Sequence, residues 1–563
     1  MKKLLIVFLC MGLAVQAFAS GAGSGAAAKT ARVGAKGSLP LALSKPVLTY
    51  FAPGNLAWNN VDSFEYKDNT FTKKVVDETG IDLRVTSTVQ ADATERLNIM
   101  LNTGDYPDII GAGGVDWRYY AKEGIFIALD KYDLQSYPTI KKVFDTYPSA
   151  KSMVSANDGL VYGLPQIQQC LHCTYSYGRI WYNAAFIRDN NRKIPETLDE
   201  FTEYLRWVKT GDPNKNGRKT ELGIVFSKNS LYNFMAFIAK AHMPFVYTGG
   251  YFGVSLDSGR KVTEQYRDPL FRQALAYAAG LYKEGLIVPD SFSMTDDQVT
   301  QLLRSSDAPV GINANAWSNH EAVLGPNMGD YFELPPLKTA SGSRYGPNGE
   351  SWSNISAAYF ITDKCKDPEL AVALYDYLIS GDMSLYGWGE KGVQWDDADT
   401  GAVGFGGGKA TWKLLLANGS APLNTSWGFG LPRISWPQQH DELQADGYDK
   451  FIKYYQTADP SLRDFTNNSP LEQEGKYIYF AKQMTQYALP DSVFLPFIAM
   501  DEADTSRYSD ITAVLDPFKN QVIVEFITGV RNINSDTDWN AYLAELDRLG
   551  SKEYVQILQK YVK

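Results

Sequence analysis

Oxygen-bearing side chains recur at alternate positions in the run Asp212-Pro213-Asn214-Lys215-Asn216-Gly217-Arg218-Lys219-Thr220-Glu221. With Asp212 as position one, Asp212, Asn214 and Asn216 fall at one, three and five, and Gly217 at six. That spacing aims three oxygens at one point, and glycine permits the sharp turn between them. Arg218 at position seven would offer its backbone carbonyl. Short loops of this kind wrap a hard cation such as Ca²⁺. The loop departs from an EF-hand, because position twelve is Gly223 and the closing bidentate Glu is missing. Glu221 at position ten has to close it instead. The expected metal set is therefore Asp212, Asn214, Asn216, Arg218 and Glu221 around a structural Ca²⁺. The competing reading is a polar turn, since Asp-Pro and Asn-Gly are ordinary turn formers.

Other residues that carry chemistry give weaker patterns. Cys170 and Cys173 flank His172, but a zinc site needs a second ligand pair, and only Cys365, His242, His320 and His440 remain, widely scattered. A thioredoxin-like motif would open a helix after a strand. A disulfide or two quiet thiols is the expected state. No G-x-S-x-G, HExxH, phosphate loop or strand-linked G-x-G-x-x-G occurs. Acidic residues abound, yet no pair sits in a motif with a mechanical reason for glycoside hydrolysis. Aromatic residues make up 13% of the chain, with 12 Trp. Ring faces bury the apolar C–H groups of sugars in binding proteins and in hydrolases alike, so this content points to carbohydrate without choosing between them.

The cation-like loop needs a rigid lead-in. Residues 195–209 read as a helix with Thr197 as N-cap and Glu200 at N3, a capping box, and Leu198, Phe201, Leu205 and Val208 recur at spacings of three and four. Upstream, short apolar runs alternate with helical stretches. Strands are expected over 45–51, 81–86 and 106–111, with helices over 70–79 and 96–102 stopped by Gly80 and Gly104. This alternation predicts a parallel α/β sheet, in which ligands sit outside the carboxyl ends of the strands. Downstream, a helix over 269–284 ends in Gly285, and Asp367-Pro368-Glu369 opens another with Asp at the N-cap. Residues 401–408 contain five glycines and read as a mobile loop.

Lys2 and Lys3 precede the apolar run 4–15 and the small-x-small sequence Ala17-Phe18-Ala19, an export signal over residues 1–19. A membrane anchor needs about twenty apolar residues and finds too few. Cys10 follows Leu9 inside the apolar run, so lipidation is not expected. Residues 20–44, dominated by Gly, Ala and Ser, read as a flexible leader. The formal charge of −10 makes the chain a poor partner for nucleic acid or an anionic membrane. A periplasmic or extracellular location is expected.

Residues 194–226, IPETLDEFTEYLRWVKTGDPNKNGRKTELGIVF, resemble the family 1 extracellular solute-binding proteins, the substrate-capturing subunits of carbohydrate ABC importers. One branch of that family carries a calcium loop of the form DPNxNGxxDE, and Thr220 stands where this form has Asp. LNIMLNTGDYPDIIGAGG, DGLVYGLP, AYAAGLYKEGLIVPDSF, VGINANAW, ITDKCKDPELAVALYDYL and the tail FITGVRNINSDTDWNAYLAELDRLG resemble the family too, so the likeness runs from about Lys45 to Lys563 and is poorer across 401–464. It implies an α/β periplasmic-binding-protein fold of type II, with two interleaved lobes joined by hinge strands. The first lobe would hold residues 45–165 with about 355–430, and the second 166–354 with about 431–563. It further implies no enzyme but capture of an oligosaccharide by hinge closure, by a monomer that delivers it to an ABC import permease. The alternative is a secreted glycan-degrading hydrolase or lyase. The expected ligand-binding residues are Trp58, Asp108, Tyr162, Trp317, Trp352, Trp388 and Trp427; Asp105 or Asp108 could accept from sugar hydroxyls, and each reads equally as a turn or capping residue. Trp317, Trp352, Trp388 and Trp427 each lie in a loop beside Gly or Asn rather than on a periodic apolar face. Tyr162 is a candidate stacking surface that reads better as a core aromatic.

Overall fold

The computed structural model describes residues 36–52, 70–88, 93–111, 116–168, 175, 178–246, 253–306, 309–316, 321–346, 355–415, 431–436, 438–445 and 470–562. Val47–Ala52 (β1) pairs in parallel with Asp82–Ser87 (β2) on one side and Ile109–Gly111 (β3) on the other. Helices Thr70–Thr79 and Ala93–Thr103 return the chain between them. This is the parallel block that the alternation predicts. The sheet does not stay parallel, however. Ile355–Ile361 (β11) runs antiparallel between β3 and Gly163–Gln168 (β4), and Ile434–Ser435 (β14) adds in parallel to β4. The order is β14-β4-β11-β3-β1-β2. The inserted strand arrives from nearly 200 residues away, which no local pattern announces.

The second sheet has the order β10-β5-β9-β6, from Trp181–Asn183 (β5), Leu222–Val225 (β6), Val310–Asn313 (β9) and Tyr331–Glu333 (β10). Every residue of β5, β9 and β10 is buried, so these strands carry side chains packed on both faces. Helices Leu198–Thr210, Leu231–Lys240, Pro269–Lys283 and Glu502–Thr528 belong to the same core. Val254–Leu256 (β7) and Val262–Glu264 (β8) form a hairpin beside it. A third, smaller core gathers Trp388, Trp395, Phe405, Trp412, Leu443 and Ile478 around the hairpin of Trp395–Asp397 (β12) and Trp412–Leu414 (β13).

The chain passes from the first sheet to the second between β4 and β5, returns between β10 and β11, and leaves again after β14. The result is two interleaved α/β lobes. Helix Pro470–Met484 stands between them. Tyr477 and Phe480 meet the Trp181 ring edge-on at 5.6 and 6.1 Å in the second-lobe core, while Ile478 is buried in the small aromatic core.

Three expectations change. Residues 36–44 are not flexible: Leu41 and Ala42 are buried in the first-lobe core, and the Ala42 amide donates to the Thr79 carbonyl at 3.0 Å. The Gly/Ala/Ser composition gives way here to Leu41 and Ala42, whose apolar surface is buried. The first lobe extends to Ser435 rather than about 430, because β14 pairs with β4 and Trp436 packs in the same core. The 401–408 glycines form a folded turn, with the Gly404 amide bonded to the Gly408 carbonyl at 2.8 Å. A Cβ on Gly404 would lie 2.1 Å from the Asp441 carbonyl oxygen, so close approach rather than mobility explains that glycine.

Candidate functional site

Helix Leu198–Thr210 begins as its sequence dictates. Thr197 accepts the Glu200 amide, Glu200 reaches back to the N-cap, and Phe201, Leu205 and Val208 are buried. The helix delivers the chain to the cation-like loop in a fixed direction. There the Asp212 Oδ1 accepts the Asn216 amide at 2.9 Å and its Oδ2 the Gly217 amide at 2.8 Å. Asn214 Oδ1 also accepts the Asn216 amide at 3.1 Å, and Asn216 Oδ1 accepts the Arg218 amide at 2.8 Å. The turn uses left-handed backbone at Lys215 (φ 58°) and Gly217 (φ 79°). The oxygens at positions one, three and five thus converge on the inside of the turn. Each keeps a second lone pair.

Glu221 ends the run just before β6. It is 5% exposed, and neither carboxylate oxygen has a hydrogen-bond partner. An isolated carboxylate out of water is costly unless a cation compensates it. The donor set of two carboxylates, two amide oxygens and a carbonyl is oxygen only, as a hard cation requires. Among the described residues no three His, Cys, Asp or Glu side chains gather as a metal group. That accords with a loop whose donors are mostly amide oxygens.

Three of the expected sugar-contacting residues, Asp108, Tyr162 and Trp388, lie among the described residues. Asp108 lies at the amino end of β3, and its Oδ2 accepts both the amide and the hydroxyl of Thr49, at 2.8 and 2.6 Å. It straps β3 to β1 on the side away from the strand's carboxyl end. Tyr162 packs on the first-lobe core ahead of β4 and donates its hydroxyl to Asp158 at 2.8 Å. Trp388 is 9% exposed, tilted against Trp412 with ring centres 5.6 Å apart and edge-on to His440 at 5.5 Å. It packs in the small aromatic core. Asp105 is exposed. Trp58, Trp317, Trp352, Trp427, Cys170, His172 and Cys173 lie outside the described residues, whereas Cys365 is a buried thiol pushed up to about 12 by desolvation.

The carboxyl ends of β1, β3, β4 and β9 point to where a ligand belongs. Just beyond β3, the sequence reading passed over Trp117 and Arg118. The Arg118 guanidinium lies 4.3 Å from the centre of the Trp117 ring, and 6.0 Å from the Phe497 ring, which the second lobe contributes. The segment that holds Phe497 also meets a separate first-lobe loop, where Asn157 Nδ2 donates to the Met500 carbonyl at 3.3 Å. Burial lowers the pKa of Arg118, opposed by Asp116. No periodicity or motif marks a D-W-R tripeptide, so sequence alone gave no signal.

Residues 68–393 match the sequence profile of the bacterial extracellular solute-binding proteins. The chain is 24% identical over 500 residues to the fructooligosaccharide ABC transporter substrate-binding protein FusA of Streptococcus pneumoniae, covering 86% of this chain and 85% of that one. Its fold superposes on FusA in complex with kestose with a TM-score of 0.69 at 20% identity, covering 92% of this chain and 98% of the other. A human-milk-oligosaccharide-binding solute-binding protein from Bifidobacterium longum infantis gives 0.72 at 19% identity, with coverage of 92% and 99%.

Proposed function

This chain belongs to the bacterial extracellular solute-binding proteins, and on that premise we propose that it captures an oligosaccharide between its lobes and delivers it to an ABC import permease. Members of this family bind substrates rather than transform them. The observation that carries the reading is the agreement of a family match over residues 68–393 with two sheets joined by repeated crossings, the architecture that hinge closure needs. FusA, similar along most of this chain, is named for fructooligosaccharide. Residues 1–19 would export the protein, and no helix among the described residues is long and apolar enough to cross a membrane. It would act as a monomer, with no nucleic-acid partner.

Closure would bury the sugar against aromatic faces, and Trp58, Trp317, Trp352 and Trp427 are the tryptophans retained for that role. Replacing a stacking Trp by Ala removes buried apolar area worth about 1–3 kcal/mol of affinity. The test is calorimetry against a glycan panel, with chromatography of the recovered saccharide. Binding with intact glycan is the expected outcome, and turnover of a bound glycan would exclude a pure capture role.

A bound Ca²⁺ is part of the same reading. Asp212, Asn214, Asn216, the Arg218 carbonyl and Glu221 would hold it, with water in place of the carboxylate that Thr220 lacks. Its support is the Glu221 carboxylate, buried without a hydrogen bond at the start of β6. The ion would supply structural charge compensation, tying the loop to the second-lobe sheet.

A further inference from the structure

The interlobe guanidinium is incomplete as it stands. Arg118 Nε and Nη2 are both shut off from solvent, and neither has a hydrogen-bond partner. These two nitrogens form one edge of the guanidinium plane, carrying parallel N–H donors. The Trp117 face fixes that plane from the first lobe, and Phe497 approaches it from the second. Asp116, the acid that acts on it, already accepts the Arg118 amide at 3.2 Å through Oδ1. A buried donor without an acceptor costs about 1–3 kcal/mol, and more when it is charged. Evolution of a folded protein rarely leaves such a group idle, and this one sits just beyond the carboxyl end of β3.

We propose that the Nε–Nη2 edge of Arg118 receives the carboxylate of a uronic-acid residue in the captured oligosaccharide. The inference rests on the oligosaccharide reading above and narrows it to acidic glycans. Two features favour a carboxylate over a pair of sugar hydroxyls. Its two coplanar oxygens match two parallel donors, giving a bidentate charge-assisted pair. It also neutralises a charge that closure takes out of water, which hydroxyls do not. The ligand reaches the edge while the lobes are apart. When Phe497 comes over the guanidinium, the pair is sealed, and closing on a neutral ligand leaves the donors empty.

The experiment compares matched pairs by calorimetry: oligogalacturonate with galactooligosaccharide, and glucuronate-bearing xylooligosaccharide with plain xylooligosaccharide, with fructooligosaccharide as a further neutral. The wild type should bind a uronate-bearing member more tightly than its neutral counterpart, with an advantage that shrinks as salt is added. Arg118→Gln should lose about tenfold or more of that affinity, the scale of a hydrogen bond to a charged group. Arg118→Lys keeps the charge without the fork and should recover only part of it, while retaining the salt dependence. If Arg118→Gln does not melt cooperatively, Arg118→Lys carries the comparison. A wild type that binds saccharide with no uronate preference, or a uronate affinity indifferent to Arg118, overturns the assignment and leaves sugar capture standing. Absence of binding to any saccharide overturns both.

Discussion

Asp212 and Glu221 are the two formal negative charges of the loop, and their surroundings differ. Asp212 is already satisfied by backbone amides, whereas Glu221 has no hydrogen bond at all. Metal bound by the folded state alone stabilises by RT ln(1 + [L]/Kd), so millimolar calcium should raise the melting temperature. Asp212→Ala should abolish the rise and Thr220→Asp enlarge it. Glu221→Gln should stabilise the calcium-free protein, because it removes an uncompensated buried charge. Melting curves indifferent to calcium and to chelator in all four proteins would leave a polar turn. His440 gives a second residue-level expectation. Burial pulls its imidazole from the ordinary 6.5 down to about 4, with Asp441 opposing and Lys482 reinforcing the shift. Below pH 6.5 the unfolded chain binds a proton that the folded chain refuses. This contribution is therefore complete above 6.5 and fades as pH falls toward 4, by up to about 3 kcal/mol. Denaturant titrations across that range should show a shallower loss for His440→Phe than for the wild type, and parallel curves would assign the acid sensitivity elsewhere.

Among the elements, the docked arm at 36–44 depends on one glycine. Gly80 has φ 70°, and a Cβ there would meet the Ala42 carbonyl oxygen at 2.0 Å. Gly80→Ala combines left-handed strain of about 1–3 kcal/mol with that clash. The arm should come away from helix Thr70–Thr79, read as faster proteolysis between Lys36 and Lys45 while the rest stays resistant. Equal cleavage rates would mean that the Leu41 burial and the Lys36 contact hold the arm without the close approach at Gly80. The sequence announced this glycine only as a helix stop. The same limit recurs across the molecule. The capping box at Thr197 and Glu200 and the parallel β1–β2–β3 block were legible because each rests on neighbours in sequence. The Asp108 strap is not legible because its partner Thr49 lies 59 residues away. The packing of Trp388 is not legible because Trp412 and His440 enclose it from far along the chain. Arg118 was invisible because its meaning comes from Phe497 in the other lobe.

At the scale of the whole molecule, capture by closure requires the two lobes to move as bodies. Helix Pro470–Met484 constrains how they do so, since it is packed into the second-lobe core through Tyr477 and Phe480 and into the small aromatic core through Ile478. The Lys482 ammonium adds a bond to the Phe405 carbonyl at 2.8 Å. Saturating saccharide should lower the radius of gyration measured by X-ray scattering. A superimposable profile with and without a bound saccharide would mean capture with no lobe closure. The docked arm then takes on a different value. Lys36 is pinned to the first lobe through the Tyr132 carbonyl, while the final helix, Ser551–Tyr561, buries Tyr554, Ile557 and Leu558 in the second. Lys36 and the final helix therefore ride on different lobes. A donor fluorophore at one end and an acceptor at the other would convert sugar capture directly into a change of colour, which makes this chain a ready scaffold for an optical sensor.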